Sequence, residues 1–262
     1  MENVIRNNYN SFMGKLVSGS TPEEVGNFIG TLYLVPVALS TTSTLRQFLP
    51  DYNLEIILKT KNFIVENART ARNFLSSCGK EKIQNLNIQE IDKHNLTFEQ
   101  IKTFTEPLLN GEDVAILSES GCPCVADPGN LFVKYAHEKN VKVIPLVGPS
   151  SMILALMASG MNGQQFSFHG YFPMDKTERE KKLQQIVKDV NLFNSTSIFI
   201  ETPYRNNQLF QYLVSSLPHD FSLCVAMDIT GQEENIKTKK VKDWKKIKYE
   251  LAKLPTIFLI GD

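Results

Sequence analysis

The sequence contains little of what marks metalloproteins and disulfide-bonded secreted proteins. Its 262 residues include only 4 cysteines and 4 histidines, and neither type recurs at the C-x-x-C or H-x-x-x-H spacing of metal and redox sites. So few cysteines in a chain of this length do not make a disulfide framework. We therefore expect neither a disulfide-stabilised scaffold nor a metal centre.

Long apolar runs are also missing. The longest, Met152 to Met157, ends at Ala158-Ser159-Gly160 and is far shorter than the roughly 18 to 20 residues that cross a bilayer. Residues 1–20 are polar and rich in asparagine, without the apolar core of a signal peptide. The sequence therefore predicts a cytoplasmic protein that does not enter a membrane.

The chain has no excess charge of either sign, because 28 basic side chains balance 28 acidic ones. A neutral chain does not hold nucleic acid through bulk positive charge, so any RNA contact must come from a local basic face. Two clusters can be either a solvated surface or such a phosphate-binding patch. They are Lys176, Arg179, Lys181 and Lys182, and a second group around the single tryptophan Trp244: Lys237, Lys239, Lys240, Lys242, Lys245, Lys246 and Lys248.

Short apolar runs alternate with helical patterns from Gly30 onward, which predicts an α/β architecture with mainly parallel sheets. The predicted strands are Thr31–Val35, Asn62–Val65, Val114–Leu117, Val141–Leu146, Ser197–Ile200, Leu223–Met227 and Thr256–Ile260. The predicted helices are a Thr97-capped helix that ends near Asn110-Gly111, then Asn130–Lys139, Ser150–Ser159, Glu178–Val190 and Asn206–Ser216. The glycines of Gly160-Met161-Asn162-Gly163 predict a hinge. The expected division is an N-terminal extension over 1–28, an N-terminal α/β lobe over 29–160 and a C-terminal α/β lobe over 161–262.

The loops that follow strands are the informative segments, because ligands bind at the carboxyl ends of parallel strands. One such loop runs from Ser118 to Gly129, and another is Gly148-Pro149-Ser150-Ser151. Their glycines and prolines turn the backbone sharply and leave amides for a ligand, although each loop alone is also ordinary turn chemistry. Neither contains G-x-x-x-x-G-K-[ST] or G-x-G-x-x-G, which argues against ATP and NAD.

Five segments resemble the tetrapyrrole methylase superfamily in their order and approximate spacing. They are Gly30-Thr31-Leu32-Tyr33-Leu34-Val35-Pro36, the loop Ser118 to Gly129, Gly148-Pro149-Ser150-Ser151, His169-Gly170-Tyr171-Phe172-Pro173 and Glu201-Thr202-Pro203-Tyr204-Arg205. The most similar branch methylates the 2′-oxygen of cytidine in small-subunit ribosomal RNA. The resemblance implies two α/β lobes with S-adenosylmethionine in a cleft between them, and a homodimer.

The resemblance also implies which residues bind this cofactor. Around its methionine and adenosine parts it places Pro36, Glu119, Gly121, Cys122, Pro123, Ser150, Ser151 and Met152, with Glu201 and Pro255 as contacts from the second lobe. The cofactor carries a sulfonium and no phosphate. Backbone amides and carbonyls in turns therefore suit it better than a lysine-bearing loop.

The acceptor side departs from the pattern of that branch. Where the branch has Pro-Ile-Gly-Asn and Glu-Asp-Thr-Arg, this chain has Pro36-Val37-Ala38-Leu39-Ser40 and Glu66-Asn67-Ala68-Arg69. Glu66 and Arg69 still match and are the candidate catalytic residues, Glu66 as general base for a hydroxyl and Arg69 as a contact for phosphate or for Glu66. The alternative is a structural ion pair at a helix start.

The predicted function is S-adenosylmethionine-dependent methyl transfer, with ribosomal RNA ribose as the acceptor. Two alternatives stay open: methylation of a tetrapyrrole or another small molecule, and cofactor binding without transferase activity. We expect His169 and Tyr171 to pack or hydrogen-bond where the lobes meet rather than to take part in the chemistry.

Overall fold

A computed structural model describes residues 29–92 and 95–262. In chain order the elements are β1 (Thr31–Val35), α1 (Leu45–Phe48), α2 (Asp51–Lys59), β2 (Asn62–Val65), α3 (Ala68–Ser77), a 3₁₀ turn (Ile83–Asn85), β3 (Asn87–Glu90), α4 (Phe98–Leu109), β4 (Val114–Leu117), α5 (Asn130–Glu138), β5 (Lys142–Pro145), α6 (Ser151–Ser159), β6 (Phe166–Tyr171), α7 (Lys176–Phe193), β7 (Thr196–Glu201), α8 (Asn206–Ser216), β8 (Ser222–Met227), β9 (Asn235–Lys240), α9 (Val241–Trp244) and β10 (Thr256–Gly261). The predicted α/β class is confirmed.

The chain divides into two compact units. Unit 1 contains the described residues up to Val37 together with Leu49–Gly148, and unit 2 contains Ala38–Phe48 and Pro149–Asp262. The extension predicted over 1–28 lies outside the described residues. The lobe boundary predicted after residue 160 falls inside unit 2.

Unit 1 is built on a five-stranded sheet in the order β3-β2-β4-β1-β5, and every pair in it is parallel. All four residues of β2 and of β4 are buried, as expected for central strands covered on both faces. The predicted start of α4 is confirmed, because Thr97 and Gln100 form a capping box. This scaffold fixes the ends of the strands from which the predicted ligand-binding loops leave.

Unit 2 carries a second five-stranded sheet in the order β6-β7-β10-β8-β9. Here only β6 and β7 pair in parallel, and the other neighbours are antiparallel, which differs from the all-parallel pairing of unit 1. The connection from β8 to β9 spans only residues 228–234. A parallel crossover needs about a dozen residues or more, so this short connection enforces a hairpin.

Helix α6 explains why residues 149–160 belong to unit 2. Its buried residues Ala155 and Leu156 pack in one cluster with Ile257 and Leu259 of β10. An almost wholly apolar helix needs a sheet face to cover it, and the sheet of unit 2 supplies that face. The predicted hinge at Gly160 to Gly163 therefore comes after this helix, within one unit.

Trp244 belongs to the core of unit 2. Its side chain is 1% exposed, its Nε1 donates to the Leu223 carbonyl at 2.8 Å, and its ring lies 5.1 Å from that of Phe210. Three of the surrounding lysines pair with carboxylates: Lys240 with Asp262, Lys242 with Asp220 and Lys246 with Asp243. These contacts favour the solvated-face interpretation of the lysine cluster, and the tryptophan ring is not available to stack on a base.

Within residues 29–92 and 95–262, no helix is both long enough and apolar enough to cross a membrane.

Candidate functional site

The strand ends of unit 1 bring several predicted site residues to one edge of its sheet. Leu117, at the end of β4, pairs with Val35 of β1 on one side and with Val65 of β2 on the other. Because the strands are parallel, the chain leaves all three side by side. Pro36 and Glu66 therefore flank the start of the loop that follows β4.

This loop, residues 118–129, is called the β4 loop below. Three of its residues have a positive φ: Gly121 at 70°, Cys124 at 67° and Ala126 at 63°. Glycine adopts this left-handed region freely, whereas each residue with a Cβ pays roughly 1 to 2 kcal/mol to do so. The surrounding contacts must therefore hold the β4 loop in place.

Asp127 holds the second half of the β4 loop. Its Oδ2 accepts a hydrogen bond from the Cys124 amide and its Oδ1 accepts one from the Gly129 amide, both at 2.7 Å. A Cβ on Gly129 would lie 2.8 Å from Asp127 Oδ1 and 3.0 Å from Cys124 Sγ. The Asp-Pro-Gly end of the loop is thus a carboxylate clamp that requires glycine at its last position.

Neighbouring segments hold the first half of the loop. The Gly121 carbonyl accepts from the Val37 amide at 3.0 Å and from the Ser118 hydroxyl at 2.9 Å. The Glu119 amide donates to Glu66 Oε1 at 3.0 Å. Residues that follow β1, β2 and β4 are thereby joined by hydrogen bonds.

The segment after β5 closes the same edge. Gly148 packs so tightly on Pro36 that a Cβ would overlap the proline ring. Cys122 Sγ lies 3.9 Å from the Gly148 carbonyl, and the buried Asn53 donates from its side chain to the Val147 carbonyl at 2.7 Å. Asn53 was not singled out in the sequence, where a polar residue in a helix carries no distinguishing signal.

Unit 1 therefore brings together all of its predicted cofactor-binding residues. Pro36, Glu119, Gly121 and Cys122 are linked through the contacts above, and Pro123 is buried in the same loop. What they offer a ligand is mostly backbone, held in a fixed conformation at the carboxyl ends of strands.

The surroundings of the two thiols of the β4 loop favour the neutral form. Burial, with the nearby charges of Asp127 and Glu66, raises the pKa of Cys124 to about 12, and burial also raises the pKa of Cys122. A thiol attacks as the thiolate, so at neutral pH both cysteines act as neutral packing groups.

The segment after β2 starts α3, and its departure from the family pattern preserves the start of this helix. The Asn67 side chain accepts from the amides of Arg69 and Thr70, both at 3.0 Å, and so caps the helix. Asparagine and aspartate cap about equally well. The Ala68 amide donates to Glu90 Oε2 at 2.9 Å. The change from aspartate to asparagine therefore costs no helix cap.

Arg69 and Arg72 lie in the N-terminal half of α3 and are exposed. Residues three apart share a helix face, so the two guanidinium groups belong to one basic strip next to the β2 end. Positive charge near a helix N-terminus opposes the helix dipole and is not there to stabilise the helix. This placement suits a role in contacting an anion. The predicted ion pair of Glu66 with Arg69 stays a prediction.

In unit 2, Ser150, Ser151 and Met152 form the beginning of α6. Ser150 is the N-cap residue but makes no side-chain capping hydrogen bond. The other end of α6 is fixed where β9 passes, since Thr238 Oγ1 donates to the Ser159 carbonyl at 2.8 Å. Half-buried Met152 packs against the cluster that covers the sheet.

Glu201 and Pro255 lie at a common edge of the sheet in unit 2, because Glu201 ends β7 and pairs with Thr256, which begins β10. Glu201 is buried, and its Oε1 accepts from the Thr202 amide at 2.6 Å and from Arg205 Nε at 2.8 Å. A buried carboxylate needs such partners. Its carboxylate therefore anchors the turn after β7.

Asp228, which follows β8 at this edge, was missed in the sequence. It is buried with a φ of 46°, its amide donates to the Pro255 carbonyl at 2.9 Å, and its Oδ2 accepts from the Glu233 amide at 3.0 Å. A Cβ on Gly231 would overlap its carboxylate. In the sequence, Thr230-Gly231 is the pair that indicates a turn after β8.

His169 is half-buried in unit 2, whereas Tyr171 is 60% exposed. The His169 ring stacks on Phe199 at 5.1 Å between centroids, with Nε2 3.2 Å from Ser197 Oγ and Nδ1 2.8 Å from Lys182 Nζ. Burial and the Lys182 charge lower the pKa of His169 to about 4. It packs as a neutral ring, which agrees with a structural role.

Acidification is expected to destabilise the protein through His169. The unfolded chain takes up this proton near the ordinary pKa of 6.5, but the folded chain does so only near 4, so stability should fall as the pH drops between these values. Urea unfolding at several pH values measures this. His169→Gln should flatten the dependence, and an unchanged slope in that variant would assign it to other groups.

Comparison with curated proteins identifies similar enzymes. The chain is 29% identical over 213 residues to ribosomal RNA small subunit methyltransferase I of Vibrio cholerae serotype O1, which covers 81% of this chain and 69% of that protein. It is 28% identical over 243 residues to the enzyme of the same name from Buchnera aphidicola subsp. Schizaphis graminum, covering 90% and 79%.

Solved structures show the same fold. The methyltransferase CobJ superposes with a TM-score of 0.59 at 16% identity, covering 89% of this chain and 94% of CobJ. Uroporphyrin-III-C-methyltransferase from Thermus thermophilus gives 0.52 at 14% identity, covering 88% and 92%. The family described as Tetrapyrrole (Corrin/Porphyrin) Methylases matches residues 54–244. That match spans more than half of the sequence, and the chain is a methyltransferase that belongs to the tetrapyrrole methylase family.

Proposed function

We propose that this methyltransferase uses S-adenosylmethionine to methylate a ribose oxygen of small-subunit ribosomal RNA. The observation that carries the proposal is the edge of unit 1 where Pro36, Gly121 and Cys122 meet the segment that begins with Glu66. The similar curated enzymes are named for ribosomal RNA methylation, which supports this class of acceptor.

The chemistry of the residues fits the cofactor. The ammonium and adenine amino groups donate to carbonyls or a carboxylate, the cofactor's carboxylate and adenine ring nitrogens accept from amides, and the sulfonium contributes only positive charge. The β4 loop offers such backbone groups together with the Glu119 side chain. At the start of α6, the Ser150 side chain does not cap the helix, so amides of the first helical turn can donate to an anionic or hydroxyl group. Glu201 and Pro255 are proposed as further contacts.

When bound, the cofactor supplies an electrophilic methyl group. The chain's own task is to orient the two reactants and exclude water, because in-line transfer depends chiefly on alignment. A conformationally locked β4 loop suits that task. We propose Glu66 and Arg69 as residues of the acceptor side.

Cofactor binding should be measurable without any metal. Isothermal calorimetry with S-adenosylmethionine or its demethylated product in the presence of a chelator should give a saturable signal. Absence of heat and of thermal stabilisation at about millimolar cofactor would reject the cofactor assignment.

The basic strip of α3 should contribute to RNA binding. Arg69→Ala and Arg72→Ala should each raise the KM for RNA and reduce the salt dependence of binding by about one phosphate contact, with unchanged cofactor affinity. Lys188→Ala, which removes an exposed cation from α7, is the control. Equal salt slopes in all variants would show that α3 does not face the RNA.

We propose further that the protein acts as a cytoplasmic homodimer, as the family resemblance implies. Light scattering at micromolar concentration should then give twice the 29.6 kDa of one chain. A mass of one chain would reject the dimer.

A further inference from the structure

We propose that Glu66 is a positioning residue for methyl transfer, which holds the β4 loop in its cofactor-binding conformation through the Glu119 amide. This inference rests on the proposed function and replaces a proton-accepting role for Glu66 with a structural link. It also gives the segment after β2 a direct connection to the cofactor-binding residues.

The sheet register makes this link a consequence of the fold. Val65 and Leu117 are partners in neighbouring parallel strands, so the next residues of the two strands leave the sheet together. Glu66, the first residue after β2, thus lies beside the first residues of the β4 loop. Its Oε1 accepts from the Glu119 amide at 3.0 Å, within the normal range for such a bond.

The β4 loop needs such external support. Cys124 and Ala126 both have a left-handed backbone, which is unfavourable for residues with a Cβ. The Asp127 bonds to the amides of Cys124 and Gly129 hold the part of the loop from Cys124 onward. The Glu66 carboxylate gives a charge-assisted hydrogen bond to the other part, which is about twice as strong as a bond between neutral groups.

The electrostatics of the loop agree with this hydrogen bond. The pKa of Cys124 is raised chiefly by burial, then by Asp127, and then by the negative charge of Glu66. The Glu66 charge therefore acts on the same loop that its carboxylate contacts through the Glu119 amide.

The same segment begins α3, so the link joins two functions. Directly after Glu66, Asn67 caps the helix that carries Arg69 and Arg72. The residue that contacts the β4 loop is therefore followed directly along the chain by the start of the proposed RNA-binding strip.

Substitutions at Glu66 distinguish positioning from proton transfer. Glutamine keeps an oxygen that accepts from the Glu119 amide but removes the base, whereas alanine removes both. With positioning, Glu66→Ala should weaken cofactor binding about 10- to 100-fold, the range for losing a hydrogen bond to a charged group, and Glu66→Gln should stay within about 5-fold of wild type in both binding and transfer.

Glu90→Ala is the matched control. It removes the same kind of bond, in which the Ala68 amide donates to a carboxylate, but at the start of α3 rather than at the β4 loop. Its cofactor affinity should equal that of wild type. Hydrogen exchange at the Glu119 amide should accelerate in Glu66→Ala and stay unchanged in Glu90→Ala.

Three quantities are measured for each variant: the cofactor affinity by calorimetry without RNA, the hydrogen-exchange rate of the Glu119 amide, and the single-turnover rate of methyl transfer into RNA. Wild-type affinity in Glu66→Ala would overturn the inference, as would a loss of transfer of about 100-fold or more in Glu66→Gln at unchanged affinity, which is the signature of a general base. If the wild type binds cofactor but transfers nothing to RNA, the proposed function fails. In that case, weaker cofactor binding in Glu66→Ala with normal binding in Glu90→Ala still supports the positioning role.

Discussion

Gly121→Val is expected to lower cofactor affinity by more than about 100-fold, the effect of losing about two hydrogen bonds between the β4 loop and the cofactor. Gly121 has a φ of 70°, and its carbonyl accepts two hydrogen bonds that fix the first half of the β4 loop. A β-branched side chain is strongly disfavoured in this backbone region. The loop must therefore change its path. Calorimetry measures the loss.

A matched glycine separates local strain from loss of the site. Gly79 has a φ of 80° after α3 in the same unit, and nothing lies within 4 Å of where its Cβ would be. Gly79→Val should reduce the free energy of unfolding by about 1 to 2 kcal/mol, the cost of a left-handed backbone at a residue with a Cβ, but should leave cofactor affinity unchanged. Equal affinities in the Gly121 and Gly79 variants would contradict the assignment of the β4 loop.

Gly148→Ala is expected to have the second largest effect. The added Cβ would overlap the Pro36 ring, so the segments after β1 and β5 must separate. Such overpacking costs about 1 to 3 kcal/mol, and the displaced Pro36 should weaken cofactor binding about 10- to 100-fold. Urea unfolding and calorimetry measure the two effects separately.

A double variant tests whether this close contact is the cause. Pro36→Gly removes the ring atoms that the new Cβ would meet, so Pro36→Gly with Gly148→Ala should recover much of the stability lost in Gly148→Ala alone. Gly163→Ala is the control, because nothing lies within 4 Å of its Cβ position. Strict additivity of the two changes would show that the residues do not interact.

The strands that the sequence missed all lie at sheet edges. The central strands β1, β2, β4, β7, β8 and β10 are nearly continuous apolar runs and were all predicted, as was the edge strand β5. The missed strands β3, β6 and β9 lie at sheet edges. β9 reads Asn-Ile-Lys-Thr-Lys-Lys, because an edge strand exposed to water needs little apolar burial and is protected by lysine.

The candidate site was predictable where a residue type has a strong conformational meaning. Gly121 indicates a backbone with positive φ, Gly148 indicates a close approach of two segments, and Thr97 indicates a helix cap. Contacts between distant segments were not predictable, since the bond from the Glu119 amide to Glu66 depends on strand order and register. The structure therefore adds a contact of Glu66 with the β4 loop that the sequence motif alone does not reveal.

The lobe boundary shows the same limit of local patterns. The glycines after Ser159 indicated a hinge, but α6 already packs on the sheet of unit 2 through Ala155 and Leu156. An apolar helix can cover either of two sheets equally well by composition. Only tertiary packing decides which sheet it covers.

Single-turnover transfer of a labelled methyl group from S-adenosylmethionine tests the central claim most directly. The acceptors are RNA from cells that lack this protein and, separately, a small-molecule extract of the same cells. We predict label in the small-subunit ribosomal RNA, at a linkage that resists alkaline hydrolysis because the 2′-oxygen is methylated. Label confined to the small-molecule fraction, or no label in either, would contradict the account.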